Sequence, residues 1–286
     1  GLTGSLATAV FSGIAVDHSA NRHRPSVQVL NLDLSKPAAW DILLQMLKDQ
    51  RILYVHGAPP CGTATKARER PVPLALRKRG APQPRPLRSS EFPLGLPGLK
   101  GIELDKVTAA NAIYLQMALF LRECDRVGVM FSLENPRGSH MWQIDGLVSL
   151  ASLPGVKFVT FQHCMHGGKR DKWSAWLTNV QALSALAATC DGKHEHEPWG
   201  AYQASDTSWQ FYSALEAEYP KLLCDRVAAI IAAEAQKRGI VMVRPAVKAD
   251  VSEAFKAAAA RLRAAAGKQP RGKKLPEVIP EFSFVS

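Results

Sequence analysis

Apolar runs of strand length recur along the chain at residues 13–16, 27–32, 52–55, 129–133 and 158–161, each closed by polar, Gly or Pro residues. Such runs predict short, largely buried strands. Residues 104–125 instead repeat with helical period, and Val107, Ile113, Leu115, Met117, Leu119 and Phe120 mark a packing helix. Two of the strands end in chemistry. The run Ile52-Leu53-Tyr54-Val55 continues to Pro59-Pro60-Cys61, where two prolines stop a ladder and turn the thiol out at the sheet edge. The run Val129-Met130-Phe131-Ser132-Leu133 ends in Glu134-Asn135-Pro136, and proline makes Glu134 the last regular residue of its strand.

Between residues 66 and 88 the pattern disappears. Lys66, Arg68, Arg70, Arg77, Lys78, Arg79, Arg85 and Arg88 are spaced by Pro71, Pro73, Pro82, Pro84 and Pro86. A basic, Pro-rich stretch of this kind is expected to be an extended, mobile loop without regular elements. It directly follows Cys61, within reach of any phosphate backbone brought to the thiol.

Composition narrows the class. The chain has 286 residues, 47% of them hydrophobic, enough for one large domain with attachments. No apolar run has the length of a membrane span, and the first residues lack a signal-peptide layout, so an intracellular protein is expected. Five scattered cysteines point to reduced thiols. The formal net charge of +11 favours a polyanionic partner, because each cation set against a phosphate releases counterions.

Together, Pro59-Pro60-Cys61 and Glu134-Asn135-Pro136 resemble the catalytic motifs Pro-Pro-Cys and Glu-Asn-Val of the DNA cytosine 5-methyltransferases. The resemblance covers roughly residues 1–238 and is to a compact, divergent, N-terminally incomplete member. It implies a Rossmann-like class I methyltransferase fold: a mostly parallel sheet with helices on both faces. Gly1-Leu2-Thr3-Gly4 is similar to the tail of the Gly-rich turn that opens a helix over 5–11. Asp17 and Asp33, at the ends of the next two strands, fall where the family holds S-adenosylmethionine. For each acid a turn or helix cap is the other reading. The resemblance makes Gly1, Leu2, Thr3, Asp17, Asp33 and Pro59 cofactor residues.

In the same way Cys61 is the implied nucleophile, Glu134 the acid, and Lys172 the one basic residue kept where the family has two. Ser174 stands at the second basic position. Lys66, Arg68, Arg70, Arg77, Asn135 and Arg137 become substrate residues, and the implied partner is nucleic acid, DNA before RNA, in the nucleus or another DNA-containing compartment. Residues 218–228, with Pro220 in the first turn, resemble the family's closing helix. The different class to weigh against catalysis is a methyltransferase-derived binding or scaffold protein without activity.

Two features lie outside this resemblance. Cys190-Asp191-Gly192-Lys193-His194-Glu195-His196 places Cys190, His194 and His196 on one turn, with His163, Cys164 or His166 upstream as a source of a fourth ligand. Structural zinc and exposed turn histidines are the two readings. After the domain at 1–244, residues 245–286 read as a basic helix over 253–265 followed by a tail containing Arg271 and Lys274, expected as a binding arm or as a solvated extension.

Overall fold

The computed structural model describes residues 1–9, 11–18, 27–49, 52–205 and 208–240. The chain divides into units Gly1–Lys248 and Ala249–Ser286. The helix and the basic tail expected over 245–286 lie outside the described residues.

The first unit is mixed α/β. In chain order it runs α1 (Leu2–Thr8), β1 (Ile14–Asp17), β2 (Gln28–Asn31), α2 (Pro37–Lys48), β3 (Tyr54–Gly57), α3 (Leu74–Lys78), α4 (Gly101–Arg126), β4 (Met130–Pro136), α5 (Asp145–Ala151), β5 (Lys157–Gln162) and β6 (Trp173–Thr178). It continues with β7 (Ala201–Ser205), β8 (Ser208–Phe211), α6 (Tyr212–Leu215) and α7 (Lys221–Lys237). Strands β1 and β2 form a parallel pair, β7 and β8 an antiparallel one, and the largest sheet has the order β3-β4-β6-β5.

That four-stranded sheet corrects the expectation of a mostly parallel one. Only β3 and β4 run parallel in it, and β6 is antiparallel to both β4 and β5. The reason is the connection. The 163–172 turn between β5 and β6 is too short for a crossover, which takes a dozen or more residues, so β6 returns antiparallel. Because β6 pairs with β4 as far as Ser174 opposite Pro136, Glu134 is also not the last strand residue.

Helices cover both faces of this sheet, as the alternation of β4 requires. Phe131 and Leu133 join Leu177 in a core with Tyr114, Met117 and Leu121 of α4 and Leu147 and Leu150 of α5. Met130 faces the other way, into a core with Phe161, Trp176 and Leu223, Val227 and Ile231 of α7. Leu2 of α1 joins that second core. The last helix begins later than expected, with Pro220 as its N-cap.

The basic segment is not the featureless loop its composition suggests. Lys66–Glu69 form a 3₁₀ turn and α3 follows, while Val72, Ala81, Leu87 and Arg88 are buried. Arg88, 1% exposed, donates to Thr63 Oγ1 at 3.0 Å, Pro93 O at 2.6 Å and Asn111 Oδ1 at 2.6 Å. Its guanidinium organises the segment from inside, because five fixed donors match several loop acceptors.

Candidate active site

The reactive residues meet because β3 and β4 are neighbours. Gly57 pairs with Leu133 in the parallel register, so the chain leaving β3 passes the end of β4. Prolines at 59 and 60 have no N–H to donate, but both carbonyls are gripped: Asn135 Nδ2 donates to Pro59 O at 3.2 Å, and the Tyr114 hydroxyl donates to Pro60 O. Cys61 O then accepts from the backbone N–H groups of Ala64 and Thr65, both at 2.9 Å. Farther on, His140 N donates to Ala64 O, and Glu69 Oε1 lies 2.7 Å from His140 Nε2. The Pro-Pro-Cys turn is therefore fastened to the segment after Glu134 on both sides of the thiol.

Glu134, 7% exposed, lies on the α7 face of the sheet and is an acceptor. Ser174 Oγ donates to its Oε1 at 2.7 Å, Lys172 Nζ lies 3.8 Å from the same oxygen, and the Tyr219 phenol is close enough for the Glu134 charge to act on it. Lys172 is itself placed by donating to Glu216 O at 2.9 Å, while Arg170 pairs with the Glu216 carboxylate at 2.7 Å.

Behind the acid lies a buried polar chain. Tyr219 OH and His56 Nε2 are 2.9 Å apart, His56 Nδ1 is 2.8 Å from Ser132 Oγ, and Tyr54 OH is 2.5 Å from the same hydroxyl. On the other side His163 Nε2 lies 3.0 Å from Ser174 Oγ. Because that hydroxyl gives its proton to Glu134, His163 must donate through Nε2. Both imidazoles are held neutral: burial lowers His56 to about 3, and burial, with Lys172 adding to it, lowers His163 to about 3. Burial and the Glu134 charge raise Tyr219 well above the ordinary phenol range. Among the described residues, Asn135 Oδ1, His163 Nδ1 and Trp176 Nε1 are buried without a hydrogen-bond partner.

Cys61 is an exposed residue, yet its thiol is crowded by the site. Burial pushes its pKa up, the Glu134 charge pushes it further, and Lys172 pulls it down. The structure thus brings Cys61, Glu134 and Lys172 together, with a resting thiol in place of a thiolate.

The other expected residues separate into groups. Arg137 lies on the rim with its guanidinium 3.8 Å from the centre of the Trp173 ring. Lys66 runs beside Gly138, so close that a methyl group there would meet it at 3.5 Å. Arg70 and Arg77 are exposed, but Arg68 is partly spent on Arg85 O at 2.8 Å and Gly62 O at 3.3 Å. Arg85 pairs with Glu103.

At the carboxyl ends of β1 and β2, His18, Asn31, Leu32 and Asp33 line an open pocket of about 470 Å³. Asp33 also accepts from Ser35 N at 3.0 Å and Ser35 Oγ at 2.6 Å, and these bonds lower its pKa. Asp17 ends β1 and accepts from His18 N. Leu2 is buried against the α7 core, so it packs and does not line that pocket.

Of the upstream metal candidates, His163 and His166 are buried in the core, with His166 Nε2 bonded to Leu186 O at 2.9 Å. Cys164 instead joins Cys190, His194 and His196 in a cluster able to hold a metal ion, its ligand atoms within 4.8 Å of one another.

Tyr219, His56 and His163 were not singled out as partners of Glu134 by sequence. The alternation of β3 puts Tyr54 and His56 on one face, but nothing local brings Tyr219 there. No family model, curated protein or solved structure matches the chain. Among the described residues, no helix is long and apolar enough to cross a membrane.

Proposed function

We propose that this chain transfers a methyl group from S-adenosylmethionine to carbon 5 of cytosine in nucleic acid, DNA before RNA, through a Cys61 adduct. The observation that carries the reading is the joint fastening of the Pro-Pro-Cys turn and the Glu134 strand end, with the charges of Glu134 and Lys172 both acting on the thiol. A Rossmann-like methyltransferase core and action in a DNA-containing compartment belong to the same proposal.

Cys61 is armed by its target. With Glu134 ionised, the neighbouring charge holds the thiol protonated. When ring nitrogen 3 of the base docks on Glu134, the thiol proton passes to the carboxylate side, and the freed thiolate adds to carbon 6. The carbon 5–carbon 6 π pair shifts to carbon 5, with the ring nitrogen taking the proton from Glu134. Lys172 offsets the negative charge that develops. Bound S-adenosylmethionine supplies the methyl as an electrophile on its sulfonium sulfur. With the sulfonium–methyl bond broken and the thioether left behind, loss of the carbon 5 proton to solvent water expels the Cys61 sulfur as thiolate, and return of the nitrogen 3 proton to Glu134 restores the ring.

The pocket at β1 and β2 fits the donor's nucleoside end in size, since small-molecule sites span about 300–1,000 Å³, and in chemistry, since Asp17 ends β1 and Asp33, two residues past the end of β2, lines it. Exposed Lys66, Arg70 and Arg77, with Arg137 on the rim, suit a phosphate backbone crossing the thiol. A second reading, binding without catalysis, is favoured by the raised Cys61 pKa and by a hydroxyl at 174 in place of a second cation.

A cytosine carrying fluorine at carbon 5 separates the two, because it blocks the final elimination. In the presence of S-adenosylmethionine the wild type is expected to form a covalent adduct that Cys61→Ser does not form. Tight binding of both ligands without an adduct rejects the enzyme.

A further inference from the structure

On the face that carries the 163–172 turn, four side chains from two segments converge on one point. Cys190 Sγ lies 3.5 Å from His196 Nε2 and 3.7 Å from His194 Nε2, and the two imidazole nitrogens are 3.1 Å apart. Cys164 completes the set within the same 4.8 Å. A tetrahedral ion with zinc–sulfur bonds of about 2.3 Å and zinc–nitrogen bonds of about 2.0 Å spaces its donors roughly 3.3–3.8 Å apart. The three distances among Cys190, His194 and His196 are close to those edges, and the full set of four is somewhat wider. Two neutral imidazole nitrogens aimed at each other at this distance repel unless a proton or a cation lies between them, and a thiol pair beside them adds the soft donors that select zinc over magnesium or calcium.

The surroundings are those of a built site. Gly192 turns the chain at φ +69, and its N–H donates to Cys190 Sγ at 3.4 Å, aiming the sulfur into the cluster. Asp191 Oδ1 lies 3.6 Å from the other ring nitrogen of His194, on the side where metal-bound histidines commonly meet a carboxylate. Cys190 N donates to Gln162 Oε1 at 2.7 Å, anchoring the turn to the end of β5.

We propose that Cys164, Cys190, His194 and His196 bind one structural Zn²⁺ that clips the 190–199 segment onto the 163–172 turn. The segment has a second attachment: Glu197 pairs with Arg170 at 2.7 Å, Arg170 Nε donates to Pro198 O at 3.1 Å, and Trp199 Nε1 donates to Asp171 Oδ1 at 2.6 Å. Residues 191–199 are exposed, so the ion does for this segment what a core cannot. The proposal does not depend on methyl transfer.

The full chain, purified without chelator, is expected to carry about one zinc per chain by elemental analysis, and Cys164→Ser and Cys190→Ser about none. Cys61→Ser should keep the ion. Co²⁺ in its place should give the strong visible bands of a tetrahedral site with thiolate-to-metal charge transfer. His194→Cys, which preserves four donors, should retain zinc and intensify that charge transfer, and this variant holds the test open if the serine variants do not fold. Chelation should expose the Lys193–His194 bond to trypsin. Folded wild type without zinc, iron or copper in its place, a Cys164–Cys190 disulfide, or zinc retained by Cys190→Ser each overturns the site.

Discussion

Ser174 Oγ donates to Glu134 Oε1 at 2.7 Å, diagonally across the antiparallel pair in which Glu134 faces Trp176 and Ser174 faces Pro136. The residue at the expected second cation position thus touches the acid directly, as a hydroxyl. Ser174→Ala leaves Glu134 with Lys172 and leaves His163 Nε2 without its acceptor. We expect a loss of about 1–3 kcal/mol in stability, read by denaturant titration, and adduct formation slowed more than nucleic-acid binding is weakened. Equal losses in both would show that Ser174 only supports the fold.

The two charges beside Cys61 act in opposite directions, which fixes the sign of a pH test. Glu134→Gln removes a negative charge that disfavours thiolate, so alkylation of Cys61 by iodoacetamide should begin at lower pH than in the wild type. Lys172→Met removes the favourable charge, and its profile should move to higher pH. Mass spectrometry of the Cys61 peptide supplies the readout. Profiles that coincide for all three proteins would place both charges too far from the sulfur to matter.

Arg88 and the Arg77-Lys78-Arg79 group are equally basic in sequence and should behave differently. Arg88→Ala strands the buried acceptors of Thr63, Pro93 and Asn111, at a cost of about 2–4 kcal/mol. Replacing the exposed trio by Ala should leave the melting temperature within a few degrees and flatten the dependence of log affinity for nucleic acid on log salt. A salt slope unchanged by the triple variant would move the phosphate contacts elsewhere.

His56 and His163 link stability to acid. Each is neutral when folded, lowered from 6.5 to about 3, so the unfolded chain takes up protons first as pH falls. Their contribution is complete above about pH 6.5 and is lost progressively toward pH 3, at about 1.4 kcal/mol per pH unit for each. His163→Gln should make the stability curve between pH 6 and 4 shallower; a slope as steep as the wild type's would mean that His163 titrates normally in the fold.

The donor pocket proposed at β1 and β2 has a direct test. S-adenosylhomocysteine should raise the melting temperature by mass action on the folded state. Asp17→Ala should remove the shift without lowering the ligand-free melting point much, since the side chain ends an outer strand. A full shift in Asp17→Ala would take the ligand away from β1.

Local pattern alone carried one of the two strand ends. The prolines after β3 ended that strand before Cys61, because turn chemistry is written within a few residues, whereas Pro136 did not end β4, which pairs with β6 as far as that residue. The spacing Cys-x-x-x-His-x-His likewise put three metal donors on one turn. What composition could not show was how the basic segment folds: Arg88 looks like its neighbours until Thr63, Pro93 and Asn111 surround it.

The sequence by itself determined that a thiol follows a strand ended by prolines and that an acid lies in another apolar strand, since periodicity and backbone restrictions are local properties. Tertiary structure decided what each one faces. Tyr219 reaches Glu134, Cys164 and not His163 joins the histidine pair, and β6 enters antiparallel between β4 and β5. Each of these depends on contacts between distant segments, fixed by which faces must be buried and by how short the 163–172 connection is.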